Sequence, residues 1–599
     1  MSANPTPIDF ATPGRHIAQI FFQRVDELGD RTFIKLQNGE GFDAVSWRDF
    51  GAMVQGLVLA LADMGIARDH KVAIIGENCL EWLAADLAML AGGWVSIVAS
   101  PSLSDAMLGR ILSHAECRAA FVQDATSVGR LLNLQGQLPM LSHIFVMQKS
   151  DSILPGTISF NQLVERGRRR DGAQLNEIIE SVHPSSLATI MYTSGSTGEP
   201  KGVMRTQENL FANITNGGEL VLSKPEELFV IVLSLNHLFG RFGFFKSAVT
   251  GRTTALIEAT ELKLNLKTIE SLGATVMAMV PRVMERIWNL VLDLGENRQL
   301  WQRLELLDRK RSASGYIDDD AERQIFEDLK AKLAGTVRRA LGGRIKYIAY
   351  GAAAMPPRIM RFFELTGIPL IGSYGLTECG GVTLCGISEN RPGNLGKPFA
   401  NVEIRIATDG EILVRGSTVT PGYFKDPEGT REVLDEDGWF HTGDLGALDA
   451  DGSLRITGRK KDVFNCADGS NIYPGFIELQ LENESFIRQA ILLGDRRPFI
   501  AALVVPDRNR IAAALGRPAA NLSANAVSTA LWSQIERING RLESYEQIRK
   551  IAVIDNDFPA EARSVNVFQK IKVARPVVAA RYREEIAGIY EADGEGDKL

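Results

Sequence analysis

Three short apolar runs, each ending in turn residues and set apart by amphipathic stretches, constrain this chain most: KVAIIG from Lys71, AAFVQ from Ala119 and LATIMYTS from Leu187. Strand-length apolar segments alternating with helical ones imply βαβ units, and these build parallel sheets with helices on their faces. At 599 residues the chain exceeds what one hydrophobic core organises, so two or more domains are expected. Hydrophobic residues make up 45% and charged residues 23%, a balance that supplies a large core and excludes a disordered chain.

The segment WLAADLAMLAGGWVSIVAS from Trp82 is apolar but interrupted by Asp86, Gly92 and Gly93, which predicts a buried helix running into a strand and not a membrane span. A long polar helical stretch between about Val291 and Leu341 reads as an excursion on the surface of a sheet domain. Beyond Gly396, VEIRI, GEILVRG and GSLRITGR read as short strands of a β-rich unit. GRKKDVF, Gly458 to Phe464, is a charged, turn-like passage, followed by a compact final segment with its own strands in QAILLGD and IAALVVPD. The expected architecture is α/β: a large N-terminal domain of sheet subdomains and a small β-rich unit over residues 1–460, then a small mobile α+β domain over 461–599.

A net charge of −7 gives no general attraction to nucleic acid, and no cluster of basic and aromatic residues supplies a local one. RGRRR, Arg166 to Arg170, reads as a solvated helix end or loop, with an anionic membrane surface as the alternative. The five cysteines are scattered and form no CxxC pair, which argues against a disulfide framework or a zinc site and fits a reducing cytosol. The start MSANPTPIDFATPGRH lacks the basic and apolar regions of a secretory signal. The final DKL only faintly echoes a peroxisomal address.

The stretch YTSGSTGEPKGV, Tyr192 to Val203, contains seven Gly, Ser or Thr residues and a lysine. A Walker A loop would place its lysine directly after a glycine, whereas Lys201 follows Pro200, so a P-loop fold is not expected. The ingredients for phosphate remain: glycines that let backbone N–H groups approach an anion, the hydroxyls of Thr193, Ser194, Ser196 and Thr197, and the charge of Lys201. A flexible Gly/Ser loop after a buried strand is the alternative.

Three further motifs stand in order behind it: SYGLTE (Ser373 to Glu378), HTGDLG (His441 to Gly446) and GRKKD (Gly458 to Asp462). On these four motifs the sequence resembles the adenylate-forming superfamily over about residues 15 to 585, and within it the bacterial long-chain fatty acyl-CoA synthetases. The resemblance implies that a carboxylate attacks the α-phosphate of ATP, pyrophosphate leaves, and the acyl-adenylate then passes its acyl group to the thiol of CoA. Two negative species meet in the first step, so positive charge and Mg²⁺ are the implied catalytic means.

The resemblance further implies residue roles. Thr193, Ser194, Gly195, Ser196, Thr197, Gly198 and Lys201 would close over the β- and γ-phosphates. Tyr374 would stack on adenine beside Gly375, Thr377 would lie near the α-phosphate, and Glu378 would be the Mg²⁺ carboxylate. GAAAMPP from Gly351 resembles the segment laid against adenine through Gly351, Ala352 and Ala353, with Ala352 where relatives often carry a second glycine. Asp444 and Arg459 would hold the ribose hydroxyls. His237, in SLNHLFGRFG, would line the carboxylate and acyl channel, or serve as a structurally satisfied buried histidine, because Ser234 replaces the proline of the related segment. Phe239, Phe242, Phe244 and Phe245 are either channel walls or ordinary core. In NVFQKIKVARPVVAARY the lysine implied to reach the α-phosphate is Lys572, with Lys570 as its competitor on the same strand face. Lys461 matches the hinge about which the small domain rotates between half-reactions.

The helical excursion, GDRRPFIAALVVPD and the RY pair at Arg581 and Tyr582 lean toward long-chain acids. Aryl, medium-chain or polycyclic acids, and a carrier protein in place of CoA, are the alternatives. An oxygenase sharing the first half-reaction is a further alternative, which oxygen uptake on supplied adenylate would expose; an inactive lipid-binding relative and a generic ATPase are disfavoured. The expected location is cytoplasmic, with transient contact at the inner face of a membrane through local patches; the sequence gives no oligomeric state.

Overall fold

The computed structural model describes residues 15–39, 41–148, 155–194, 199–215, 226–257, 266–314, 319–353, 355–387, 389, 391, 393–467, 470–482, 484–558 and 575–591. The three apolar runs that open the sequence argument become neighbours in one seven-stranded sheet. Its order is Thr157–Ser159, His143–Val146, Cys117–Val122, Lys71–Ile75, Val95–Ala99, Leu187–Ser194 and Pro200–Thr206. All pairs are parallel except the last, Leu187–Ser194 with Pro200–Thr206. YTSGSTGEPKGV is therefore the distal part of an antiparallel hairpin, with Thr193 opposite Lys201, and not simply a loop following a strand.

A nine-stranded sheet stands beside it: Lys397–Pro398, Gly380–Leu384, Leu370–Leu376, Tyr347–Tyr350, Val276–Met279, Leu228–Ile231, Thr253–Leu256, Thr32–Asn38 and Gly41–Ser46. Its six central strands are parallel and both edges antiparallel. The helix Leu80–Gly92 ends on Gly93 in the left-handed conformation, φ 72°, and leads directly into strand Val95–Ala99, as expected. From Trp82 to Gly92 every residue is buried, because a helix apolar on all sides must be enclosed.

Asp86 lies inside that helix with no exposed side-chain surface. Arg241, on helix Leu238–Thr250, holds it bidentately, Nε to Oδ2 at 3.0 Å and Nη2 to Oδ1 at 2.6 Å. The same guanidinium donates to Thr189 Oγ1 at 3.0 Å and Ser96 Oγ at 3.1 Å. One buried cation thus fastens a helix of the nine-stranded sheet to a helix and two strands of the other.

The polar excursion is a pair of helices, Asn297–Ser314 and Asp320–Ala340, tied to helix Pro357–Leu365 through Arg358–Glu305 and Arg361–Asp308. RGRRR ends helix Phe160–Arg168, and both Arg166 and Arg170 pair with Asp63. The β-rich unit is a four-stranded antiparallel sheet, Val402–Ile406, Glu411–Gly416, Phe440–Leu448 and Leu454–Arg459. Its third strand carries HTGDLG. The small C-terminal domain mixes a three-stranded sheet, Ile487–Leu493, Ile500–Pro506 and Ile548–Val553, with helices Pro474–Glu482, Ala524–Asn539 and Arg583–Glu591. Among the described residues no helix is long and apolar enough to cross a membrane.

Candidate active site

Parallel strands present their carboxyl ends along one edge, where open α/β sheets receive ligands. Ser194 and Leu376 are the last residues of their strands, the Gly351–Ala353 segment follows strand Tyr347–Tyr350, and His237 comes after strand Leu228–Ile231.

Three motifs meet first at Asp444, whose side chain is 6% exposed. Strand pairing sets Asp444 opposite Arg459, and Arg459 Nε lies 2.8 Å from Oδ1. Tyr374, from the nine-stranded sheet, donates its hydroxyl to Oδ2 at 2.8 Å. Burial, and then the charge of Asp444, pushes the Tyr374 phenol well above its ordinary value, so this hydroxyl stays a donor at neutral pH. Gly375 cannot be replaced cheaply, since a Cβ there would stand 2.3 Å from the Gly380 carbonyl oxygen.

Glu378 forms a second centre. Its Oε1 accepts from the Tyr423 hydroxyl at 3.2 Å, and Lys201 Nζ lies over the Tyr423 ring, 4.8 Å from the centroid. The lysine of YTSGSTGEPKGV and the glutamate of SYGLTE are thereby connected through one tyrosine. Segment 422–424 is stitched to strand Pro200–Thr206: Met204 N donates to Gly422 O at 3.1 Å and Phe424 N to Gly202 O at 2.8 Å. Burial raises the Glu378 carboxyl above its usual value, with Tyr423 and Arg205 opposing.

Behind Glu378 sits Arg205, fully buried. Its Nη1 donates to the Glu378 carbonyl at 2.9 Å and reaches the Thr377 carbonyl at 3.5 Å, while Thr420 N donates to the same Glu378 oxygen at 2.7 Å. Among the described residues its Nε and Nη2 have no hydrogen-bond partner, and burial brings its pKa down to about 10. Neither Arg205 nor Tyr423 stood out in the sequence. PKGVMRT and GYFKD carry no separate signal, although a charged residue inside a buried strand such as Pro200–Thr206 was the available hint.

Ala352 has φ +65°, a left-handed conformation that favours glycine, and is exposed. A methyl group is thus more than a small addition at this position, because the backbone itself is strained. His237 precedes helix Leu238–Thr250, and burial holds its imidazole below the ordinary histidine value. Of the four phenylalanines, Phe244 and Phe245 are completely buried core, whereas Phe239 and Phe242 are partly buried. Lys461 is exposed in a short 3-10 turn, and its neighbour Lys460 pairs with Asp409 at 2.7 Å and Glu411 at 2.9 Å. Residues Gly195, Ser196, Thr197, Gly198, Lys570 and Lys572 lie outside the described residues.

Among the described residues no group of three or more His, Cys, Asp or Glu is placed to hold a metal ion. A single carboxylate suits Mg²⁺, which takes few protein ligands beside nucleotide oxygens and water. Zinc, which needs three or four, does not fit this donor set.

Two large α/β sheets, a four-stranded sheet carrying HTGDLG and a small domain that follows it in the chain, together with these motifs, define an adenylate-forming enzyme. The chain belongs to the AMP-binding enzyme family: the family's model matches residues 21–424, and that of the AMP-binding enzyme C-terminal domain matches residues 461–594. A long-chain-fatty-acid–CoA ligase of Mycobacterium tuberculosis, FadD15, is 29% identical over 98% of this chain and 99% of its own. A long-chain-fatty-acid–CoA ligase of Xenopus laevis, ACSBG2, is 27% identical over 96% of this chain and 84% of its own. In fold the chain is similar to the adenylation domain of a carboxylic acid reductase from Segniliparus rugosus, with a TM-score of 0.72 at 22% identity, covering 97% and 95% of the two chains. It is likewise similar to the anthranilate CoA ligase AuaEII, with a TM-score of 0.73 at 17% identity, covering 96% and 100%.

Proposed function

We propose that this chain joins a fatty acid, foremost a long-chain one, to CoA in two steps: ATP and the acid give acyl-AMP and pyrophosphate, and CoA thiol then displaces AMP. The observation that carries this reading is the convergence of Lys201, Tyr423 and Glu378 beside Tyr374, Asp444 and Arg459. Relatives alike over nearly the whole chain, named as long-chain-fatty-acid–CoA ligases, support the substrate class.

In this reading Asp444 and Arg459 hold the ribose, Tyr374 covers the adenine while its hydroxyl fixes Asp444, and Gly351, Ala352 and Ala353 line the base. Lys201 and the hairpin hydroxyls bind the β- and γ-phosphates, which become the leaving pyrophosphate, and Thr377 contacts the α-phosphate. Glu378 would hold Mg²⁺, which supplies charge neutralisation on the phosphates when bound. Tyr423, donating to Glu378, keeps that carboxylate aimed. His237 borders the entering carboxylate. The domain boundary falls at 460/461, Lys461 is the hinge, and Lys572, ahead of Lys570, brings positive charge to the attacking carboxylate and the α-phosphate.

Pyrophosphate release over a panel of fatty, aryl and polycyclic acids, followed by acylation of either CoA or a phosphopantetheinyl carrier, tests the reading. Acyl-CoA formed preferentially from long-chain acids is expected; acylation of the carrier alone overturns the acceptor. Lys572→Ala is expected to abolish adenylate formation and to spare thioester formation from supplied acyl-adenylate. Equal loss of both half-reactions removes that assignment.

A further inference from the structure

The last two residues of SYGLTE stand at the tip of a β-hairpin. Strand Leu370–Leu376 pairs antiparallel with strand Gly380–Leu384, and the pair nearest the tip is Leu376 with Gly380. Thr377, Glu378 and Cys379 are therefore a three-residue connection, and Gly380 leaves it with φ +63°. Hairpins of this kind commonly close on a residue in the left-handed region, where glycine carries no steric cost. A larger residue at 380 would meet more than backbone strain, since a Cβ there would stand 2.2 Å from Asn213 Oδ1.

One continuous element reaches this tip. Strand Pro200–Thr206, which carries Lys201, runs directly into helix Gln207–Thr215. Thr206 and Asn209 cap that helix reciprocally, Asn209 N donating to Thr206 Oγ1 and Thr206 N to Asn209 Oδ1, both at 3.1 Å. Asn209 and Asn213 lie four residues apart on one helix face, and both are buried. Asn209 Nδ2 donates to the Ser417 carbonyl at 2.9 Å and to the Val419 carbonyl at 3.1 Å. Asn213 Oδ1 accepts from Gly381 N at 2.5 Å, and its Nδ2 donates to the Asn209 carbonyl at 2.8 Å.

The two bonds of Asn213 do different things. The Nδ2 bond stays within the helix and fixes the amide plane, so that Oδ1 is turned toward the hairpin. The Oδ1 bond spans 168 residues of sequence and holds the backbone three residues past Glu378. Arg205 already holds the Thr377 and Glu378 carbonyls, so the tip is fastened on its leading side by the strand and on its trailing side by the helix. A tip of three residues fixed at both ends leaves its side chains little freedom of direction.

We infer that Asn213 is a positioning residue for Glu378: through Gly381 N it sets the three-residue tip that presents the carboxylate to a divalent cation. This deepens the acid-activating reading above and rests on its assignment of Glu378 to Mg²⁺. Lys201 and the tip carrying Glu378 are held by one unbroken stretch of regular backbone, residues 200–215, which keeps the spacing between the phosphate-binding cation and the metal-binding carboxylate. Outer partners of this kind orient a ligand without touching the metal.

The test uses the full-length enzyme and its Asn213→Leu and Asn213→Asp variants. Three quantities are measured: the Mg²⁺ concentration for half-maximal pyrophosphate release at saturating ATP, calorimetric ATP binding with and without Mg²⁺, and the melting temperature. Leucine keeps the volume and removes the acceptor, whereas aspartate keeps the acceptor and loses the donor within the helix. Asn213→Leu is expected to raise the Mg²⁺ requirement about fivefold or more and to weaken Mg²⁺-dependent ATP binding alike. Thioester formation from supplied acyl-adenylate and CoA, which needs no phosphate neutralisation, should stay within about twofold. Asn213→Asp is expected to keep the Mg²⁺ requirement within about twofold of wild type even though it buries a carboxylate and melts lower. A requirement unchanged within about twofold in Asn213→Leu overturns the inference, as does a requirement that follows melting temperature and not the acceptor, or an equal loss of both half-reactions. Asn213→Ser, too short to reach Gly381 N, takes the place of the leucine variant if that does not fold. If no acid releases pyrophosphate, the acid-activating reading has failed, and Mg²⁺-dependent ATP binding in the same variants still decides the role of Asn213.

Discussion

Breaking the buried pair of Asp86 and Arg241 should cost more than any surface change, and the two ways of breaking it should not add. Both side chains are fully buried, and the guanidinium makes two bonds to the carboxylate and one each to Ser96 and Thr189. Arg241→Met leaves an uncompensated carboxylate, while the Ser96 and Thr189 hydroxyls still donate to the Ala188 and Ser96 carbonyls; Asp86→Leu leaves an uncompensated guanidinium. Each is expected to destabilise the large domain by about 3–5 kcal/mol, whereas exchange of both for apolar groups of similar volume removes the stranded charge and costs far less than the sum. Urea unfolding followed by tryptophan fluorescence suits the measurement, because Trp82 lies one turn from Asp86 on the same helix and is completely buried. The Arg241 clamp also fixes the helix that begins after His237, so either single variant should lower activity before it unfolds the protein. Single costs below about 1 kcal/mol, or a double variant whose cost equals the sum, would refute the reasoning.

Further outcomes follow from single residues. Ala352→Gly relieves a left-handed alanine costing about 1–2 kcal/mol and loses about 0.5–1 kcal/mol to glycine's greater chain entropy; a small rise in melting temperature is expected, and a fall would contradict the strain. His16 is buried with its Nε2–H donating to the Ile179 carbonyl at 3.1 Å, and burial lowers its pKa below 6.5. The unfolded chain therefore binds the extra proton first, so this contribution to stability is present above pH 6.5 and is lost as pH falls toward the folded value, at up to about 1.4 kcal/mol per pH unit. His16→Phe should flatten that slope in melts taken between pH 5 and pH 7. Arg205→Met removes a charged donor from the Glu378 carbonyl together with the burden of burying it. Stability is expected to change little while the Mg²⁺ concentration for half-maximal activity rises about tenfold; an unchanged Mg²⁺ requirement argues against a positioning role.

What could be read from the sequence was what is local. KVAIIG, AAFVQ and LATIMYTS are mostly apolar runs of five to eight residues, and a strand buried on both faces needs nothing more distant to declare itself. The motifs singled out Tyr374, Glu378, Asp444 and Arg459 through their resemblance, in order and spacing, to adenylate-forming enzymes, and the fold brings these four residues near one another. Strand Phe440–Leu448 escaped notice since its His-Thr-Gly-Asp start has no apolar alternation; it is held by pairing with Glu411–Gly416 and Leu454–Arg459, not by its own pattern. Asp86 read as an interruption of a helix, because its partner stands 155 residues away.

Tyr423 carries the same lesson into the site. In GYFKD it is an aromatic residue in a turn, and its position opposite Val203 comes from an isolated bridge formed 220 residues along the chain. Only that bridge puts its ring under Lys201 and its hydroxyl on Glu378. A phenylalanine would keep the cation–π contact and lose the hydrogen bond, so Tyr423→Phe separates the two functions. If the hydroxyl aims the carboxylate, the variant needs more Mg²⁺ and keeps its affinity for ATP phosphates; if the ring alone matters, neither quantity moves. A loss of ATP affinity with an unaltered Mg²⁺ requirement would show that the link from Lys201 to Glu378 does not run through this tyrosine.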